Sequence, residues 1–218
     1  MALAAVMPAA HLAAQALPIE PHLAQVVGYY TGTIGEVDDP RAHDVLVEVA
    51  ADGDTLAQMW LARCYSRGRM LFDRDEARAR ALPTLIDDVA ALAAQDSSEA
   101  AFLMGTAYAE GLGVDADLGL AIAWYHRAAD LGNVLAQHNL GNAYRAGDGV
   151  AQDSGIAVYW YRQAANQGDA LPSFWLGQMY EEGEGVPADL DLATRWYEDS
   201  AGRGNARAAE ALARLRSR

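Results

Sequence analysis

The chain has 218 residues, of which 52% are hydrophobic, and its 30 acidic and 16 basic side chains give a formal net charge of −14. This length can bury a core without disulfide bridges, and the single cysteine, Cys64, excludes an internal disulfide. Because such a charge repels phosphate groups, we expect no nucleic-acid partner.

The first 16 residues are rich in alanine and end in an Ala-Gln-Ala pattern that resembles a signal-peptidase site. No arginine or lysine precedes this pattern, and Pro8 and His11 interrupt the apolar run. We therefore predict an alanine-rich helix over 1–16 and a cytoplasmic protein. The alternative is a signal segment, which would place the protein in the periplasm or outside the cell. No other apolar run approaches the roughly 20 residues of a membrane span.

The rest of the chain is dominated by a repeat of 36 residues. Its recurring positions are Tyr108, Tyr144 and Tyr180; Trp124, Trp160 and Trp196; Gly105, Gly141 and Gly177; and a Gly-x-Gly-Val loop that begins at Gly111, Gly147 and Gly183. Periods of this length are typical of solenoids, in which each unit buries its apolar face against its neighbours. We therefore predict an all-α solenoid whose contacts run only between neighbouring units.

Five units are predicted between residues 17 and 204, followed by a polar capping helix over 205–218. The tyrosine-to-glycine step of the repeat also recurs, more weakly, before residue 98. The five units are 17–53, which is degenerate, 54–97, which carries a seven-residue insertion, and the regular units 98–132, 133–168 and 169–204.

Each regular unit reads as two helices joined by a turn. In the unit 133–168, a glycine-rich turn follows the first apolar stripe, Asp153 can cap the second helix, and Gly168 can end it. A glycine inside a helix costs about 1 kcal/mol relative to alanine, so Gly141 needs a packing reason. We expect the second helix to approach the first closely at Gly141. The alanine pair of the second helix would provide the small surface that packs against this glycine.

These residues resemble the Sel-1-like repeat, a relative of the tetratricopeptide repeat. The resemblance is carried by the Gly-x-Gly-Val loop, Asp153, Trp160-Tyr161 and Ala164-Ala165. It is strong over 98–204 and weak over 17–97. It implies a right-handed, tetratricopeptide-like superhelix that acts as an adaptor for protein partners. Some relatives hold each hairpin with a disulfide, which a lone cysteine does not support.

By the same resemblance, the face of each first helix that points away from its second helix lines a concave groove. The candidate partner-binding residues on this face are Met59, Trp60, Arg63, Arg67, Phe102, Thr106, His138, Asn142, Phe174, Trp175, Gln178 and Glu181. We expect Trp60 and Trp175 to be partly exposed, because the equivalent position is Asn139 in another unit. The alternative is that the aromatic side chains pack between adjacent first helices. Arginines predict a basic early end of the groove, and glutamates predict an acidic late end.

The pattern of polar residues predicts no catalytic, metal or cofactor site. The five histidines have no metal-ligand spacing, and the glycine pairs follow no strand and precede no lysine. The sequence therefore favours a non-enzymatic scaffold or adaptor that binds a peptide or protein in the groove. The alternative is an immunity-type inhibitor that neutralises a cognate secreted toxin, since an acidic protein suits a basic target. An enzyme is the third alternative.

Overall fold

The computed structural model describes residues 21–80 and 85–217, so the helix predicted over 1–16 lies outside the described residues. The described part contains twelve α-helices joined by turns. They are α1 (Pro21–Thr31), α2 (Asp39–Ala51), α3 (Thr55–Arg67), α4 (Glu76–Arg80), α5 (Leu85–Ala94), α6 (Ser98–Glu110), α7 (Leu118–Asp130), α8 (Val134–Ala146), α9 (Ser154–Asn166), α10 (Ala170–Glu182), α11 (Leu190–Gly202) and α12 (Ala206–Arg216).

The helices pack in chain order as a stack of hairpins. α1 packs on α2, α6 on α7, α8 on α9 and α10 on α11, and the second helix of each of these hairpins also contacts the helix that follows it. In the second hairpin, α4 and α5 both contact α3. The predicted all-α solenoid is therefore confirmed. None of the described helices is both long enough and apolar enough to cross a membrane.

The same capping residues delimit each hairpin. The side chains of Asp38, Asp117, Asp153 and Asp189 each accept a hydrogen bond from the backbone N–H three residues on, at the start of a second helix. The backbone N–H of each of these aspartates donates to the carbonyl of the repeat tyrosine that precedes it, which is Tyr29, Tyr108, Tyr144 or Tyr180. Asp75 and Tyr65 make the same backbone bond in the second hairpin. This bond fixes the turn between the two helices, in the degenerate first hairpin as well.

Tyrosine rings explain the glycines that recur in the first helix of the three regular hairpins. A Cβ atom built on Gly105 would lie 2.5 Å from Cδ1 of Tyr125, and one on Gly177 would lie 2.5 Å from Cδ1 of Tyr197. Gly141 stands in the same relation to Tyr161. The expected close approach of the second helix is therefore present. However, a buried tyrosine ring fills the space, and the alanine pair does not.

The two ends of the described array also contact each other. The backbone N–H of Val37, in the loop between α1 and α2, donates to the carbonyl of Arg203 over 3.2 Å. Gly204 approaches Glu36 in the same place. The expectation that contacts run only between neighbouring units was therefore wrong. The curvature of the stack brings the first hairpin against the turn between α11 and α12.

Candidate functional site

The candidate groove is formed by the first helices α3, α6, α8 and α10. Its early end, on α3 and α6, is closed. Trp60 and Phe102 are completely buried, and Arg63 is nearly so. The ring of Tyr30, on α1, packs edge-to-face on Trp60 with 6.2 Å between centroids. The guanidinium of Arg63 lies 4.5 Å from the ring centroid of Trp60 and 5.6 Å from that of Tyr30.

This burial corrects part of the sequence prediction. The expectation that Trp60 is partly exposed was wrong, because α1 packs over the early groove. The other predicted groove residues that are buried are Met59, Arg63, Phe102 and Thr106. For Phe102 the alternative reading, packing between adjacent first helices, is correct, since its ring centroid lies 5.8 Å from that of Trp60.

A buried carboxylate, which the sequence analysis missed, holds Trp60 in place. The indole Nε1 of Trp60 donates to Oε1 of Glu99 over 2.5 Å, and Nδ2 of Asn133 donates to Oε2 over 2.8 Å. Complete burial raises the pKa of Glu99, although these two donors oppose the shift. The repeat register could have pointed to Glu99. The equivalent positions in the next two units are Leu135 and Leu171, so an acidic residue stands where the repeat has leucine.

The basic charge expected at the early end is partly neutralised. Arg67 and Arg69 both pair with Glu110, with N–O distances of 3.2 Å and 2.6 Å, and the hydroxyl of Ser66 donates to the same carboxylate. Burial alone would raise the pKa of Glu110, but these partners outweigh it and lower that pKa. Arg67 remains exposed, and this cluster borders a cavity of about 580 Å³.

The middle of the groove carries two polar residues in different settings. Asn142 is exposed, and its Oδ1 accepts a hydrogen bond from the hydroxyl of Tyr161 over 2.7 Å. His138 is mostly buried, and its Nδ1 lies 3.0 Å from Oδ2 of Asp169 at the start of α10. The sequence prediction placed both side chains on this surface but gave neither its partner.

The late end of the groove is open. Phe174 and Trp175 are half-buried, and Trp175 thus has the partial exposure expected of it. The guanidinium of Arg145 lies 4.8 Å from the ring centroid of Trp175, and Glu184 holds it there with an N–O distance of 2.9 Å. The ring of Phe174 packs on Trp175 with 5.1 Å between centroids.

The acidic charge expected at this end is also partly neutralised. Both Oε atoms of Glu181 accept hydrogen bonds from Arg214, over 2.7 Å and 2.6 Å, and Oε2 also accepts one from the hydroxyl of Tyr197. Glu182 remains exposed. Between α10 and α12 the surface opens into a cavity of about 450 Å³, whose lining includes Phe174, Gln178 and Glu182.

The lone thiol and the acidic side chains form no reactive or metal-binding group in the described structure. Cys64 is buried, and burial raises the pKa of its thiol to about 11, so the unreactive thiol predominates at neutral pH. Among the residues described, no three His, Cys, Asp or Glu side chains come together as metal ligands would.

The sequence and fold match known repeat proteins. The Sel1 repeat family profile matches residues 55–82, 98–133, 134–169 and 173–205. A protective antigen present in uropathogenic Escherichia coli strains, which displays an SLR fold, is 29% identical, with a TM-score of 0.58 over 88% of this chain and 47% of its own. A Sel1 repeat protein from Oxalobacter formigenes is 34% identical, with a TM-score of 0.56 over 89% of this chain and 55% of its own.

The chain thus spans about half the length of these two proteins. A third structure, of a Pseudomonas aeruginosa protein, is 24% identical, with a TM-score of 0.52 over 89% of this chain and 71% of its own, and shares the fold. No curated protein matches the sequence of this chain.

Proposed function

This chain belongs to the Sel1 repeat family, whose members generally mediate protein–protein interactions, and we propose that it is a non-enzymatic scaffold that binds a protein partner through the late half of its groove. The residues assigned to the partner are His138, Asn142, Phe174, Trp175 and Gln178. The early residues Met59, Trp60, Arg63, Phe102 and Thr106 belong to the core instead.

The observation that carries the proposal is the setting of Trp175. Its indole is partly exposed and is held between the guanidinium of Arg145 and the ring of Phe174. A rigid aromatic side chain loses little conformational entropy on binding, and tryptophan is among the residues most enriched in binding hot spots. The formal charge of −14 favours a partner with a basic surface.

The test compares Trp175 with a tryptophan in similar surroundings outside the groove. Trp124, on the second helix α7, is also half-buried and stacked with an arginine, since the guanidinium of Arg127 lies 5.5 Å from its ring centroid. The partner is first captured from the source organism with the immobilised full chain and identified by mass spectrometry. Isothermal titration calorimetry then measures its affinity for the parent, Trp175→Ala and Trp124→Ala.

We expect Trp175→Ala to weaken binding by about thirtyfold, which corresponds to a loss of about 2 kcal/mol at a hot spot. Trp124→Ala should leave the affinity within about twofold, because this side chain lies outside the proposed surface. Equal affinities for the parent and Trp175→Ala would contradict the assignment, and so would equal losses in the two variants.

An inhibitor that neutralises a secreted basic toxin is the second candidate, and the net charge of −14 is the observation that favours it. Co-expression with each secreted effector encoded beside its gene separates the two candidates. Rescue of growth by the parent chain, lost in Trp175→Ala, would support the inhibitor. Binding of a non-toxic partner without any rescue would support the scaffold.

A further inference from the structure

A cavity of about 470 Å³ lies where the first hairpin meets the end of the array. Its volume is within the range of sites that take small ligands or single side chains, roughly 300 to 1,000 Å³. The larger apolar side chains of the lining are Tyr30 on α1, Val37 in the following loop, Leu135 on α8 and Leu171 on α10. An apolar or aromatic group therefore fits the body of this cavity.

His138 and Asp169 form a hydrogen-bonded pair in the lining of the cavity. The Nδ1 atom of His138 lies 3.0 Å from the carboxylate of Asp169, and both side chains line the cavity while being largely buried, with 12% and 3% of their surface exposed. With the hydrogen on Nδ1, the imidazole donates to Asp169, and Nε2 becomes an acceptor. Among the described residues Nε2 has no hydrogen-bond partner, so a donor on the ligand would satisfy it.

The lining of the cavity carries opposite charges on the first hairpin and on α12. On the hairpin side, the carboxylate of Asp39 makes no ion pair with any described residue, and Asp38 lies next to it in the chain. Burial and the charge of Asp38 both raise the pKa of Asp39, and a positive charge next to this carboxylate would oppose both effects. On the other side, Arg207 lines the wall. A basic group on the ligand therefore belongs on the Asp39 side.

We propose that this cavity receives a tyrosine side chain of the partner, and that a basic residue stands next to this tyrosine in the partner's sequence. This proposal rests on the protein-binding function proposed above. The phenol ring packs among Tyr30, Leu135 and Leu171, and its hydroxyl donates to Nε2 of His138. The neighbouring basic side chain pairs with Asp39. The cavity thus selects one anchoring residue and one flanking charge.

The experiment uses the full chain with isotope-labelled leucine methyl groups and capped dipeptides as probes. Tyr-Arg is tested in both orders, together with Phe-Arg and Tyr-Glu in the same orders. We expect the methyl signals of Leu135 and Leu171 to shift with the better Tyr-Arg order. Replacing Tyr by Phe should weaken binding by about 3- to 10-fold, because one hydrogen bond is lost, and Tyr-Glu should bind more weakly still.

Variants of the chain assign each contact. Asp39→Asn should remove the preference for arginine over glutamate, whereas Asp44→Asn, an exposed position on the same helix, should keep it. His138→Gln should remove the preference for tyrosine over phenylalanine, and His126→Gln serves as the control on α7. Because the Phe-Arg comparison changes only the ligand, it tests the His138 contact even if a His138 variant folds poorly.

Three results would overturn the proposal: no shift of either leucine methyl at millimolar dipeptide, equal binding of Tyr-Arg and Phe-Arg, or no effect of Asp39→Asn on the charge preference. These results can be distinguished from failure of the proposed function. That function is tested by the affinity of the whole partner for the parent and for Trp175→Ala. A partner that depends on Trp175, with dipeptides that do not bind, would leave the scaffold function standing and remove the cavity from it.

Discussion

The ring of Tyr161 occupies the space into which any side chain at Gly141 would project. The same pairing joins Gly105 to Tyr125 and Gly177 to Tyr197, so it is the packing rule of the three regular hairpins. Each glycine lies one helical turn before the repeat tyrosine whose carbonyl fixes the turn to the second helix. The close contact and the turn therefore act on the same stretch of backbone.

A first prediction concerns this contact. Gly141→Ala gains helix propensity but forces the Tyr161 ring away from α8, and overpacking of this kind costs about 1 to 3 kcal/mol. We expect a melting temperature lower by several degrees, measured by circular dichroism. Gly202→Ala is the control, because a Cβ at Gly202 meets nothing within 4 Å. An unchanged melting temperature in Gly141→Ala would show that the ring moves aside freely.

The sequence predicted most of the fold because the period determines it. Recurring tyrosines, tryptophans and glycines at 36-residue intervals fixed the helix pairs, and polar residues such as Asp153 marked the helix starts. The sequence did not determine which side chain of the second helix packs against each repeat glycine. An alanine pair and a tyrosine ring are both consistent with a neighbouring glycine, and only the relative rotation of the two helices decides between them.

The candidate site was predicted less well than the fold, for a physical reason. Whether Trp60 is exposed depends on α1, whose Tyr30 packs on the indole, and the position of α1 depends on the rotation between the first two hairpins. Trp175 keeps the partial exposure that its register predicts. Periodicity therefore assigns a side chain to a face of a helix, but the curvature of the whole array decides which faces are covered.

A second prediction contrasts the two tryptophans by stability. Trp60→Ala removes a fully buried side chain and leaves the Glu99 carboxylate without one of its two donors, so we expect a loss of about 3 to 5 kcal/mol in the free energy of unfolding. Trp175→Ala should cost clearly less, because its side chain is only partly buried. Urea unfolding of both variants measures the difference. Equal losses would contradict the assignment of Trp60 to the core and Trp175 to the surface.

A third prediction follows from the lowered pKa of Glu110. A carboxyl whose pKa is lowered by folding stabilises the protein fully above its unfolded pKa of about 4.3, and this contribution is lost as the pH falls through the lower folded value. We therefore expect Glu110→Gln to destabilise the chain at pH 7 by about 1 to 3 kcal/mol, since Arg69 loses its partner.

The difference between Glu110→Gln and the parent should shrink steadily below about pH 4, because the parent then also loses the charge. Urea unfolding at pH 7 and pH 3.5 gives the comparison. Glu198→Gln, which removes an exposed partner of Arg216, is the control and should change stability little at either pH. A difference that stays constant with pH would show that the ion pair is not its source.

A fourth prediction concerns the contact between the ends of the array. The amide of Val37, which donates to the carbonyl of Arg203, should exchange with deuterium more slowly than the amides of Ile34 and Glu36, which have no backbone acceptor in the described structure. Residue-resolved hydrogen exchange by nuclear magnetic resonance makes the comparison. Equally fast exchange at all three positions would mean that the loop and the turn separate readily in solution.

The contact between Val37 and Arg203 changes how this kind of protein can lose its structure. In an open stack the outermost repeats have a neighbour on one side only, so melting starts there and proceeds inwards one repeat at a time. When the first and last described hairpins support each other, neither is a free boundary from which melting can begin. A hairpin that unfolds locally then has a folded neighbour on each side that favours its refolding. The described array should therefore unfold as one cooperative unit.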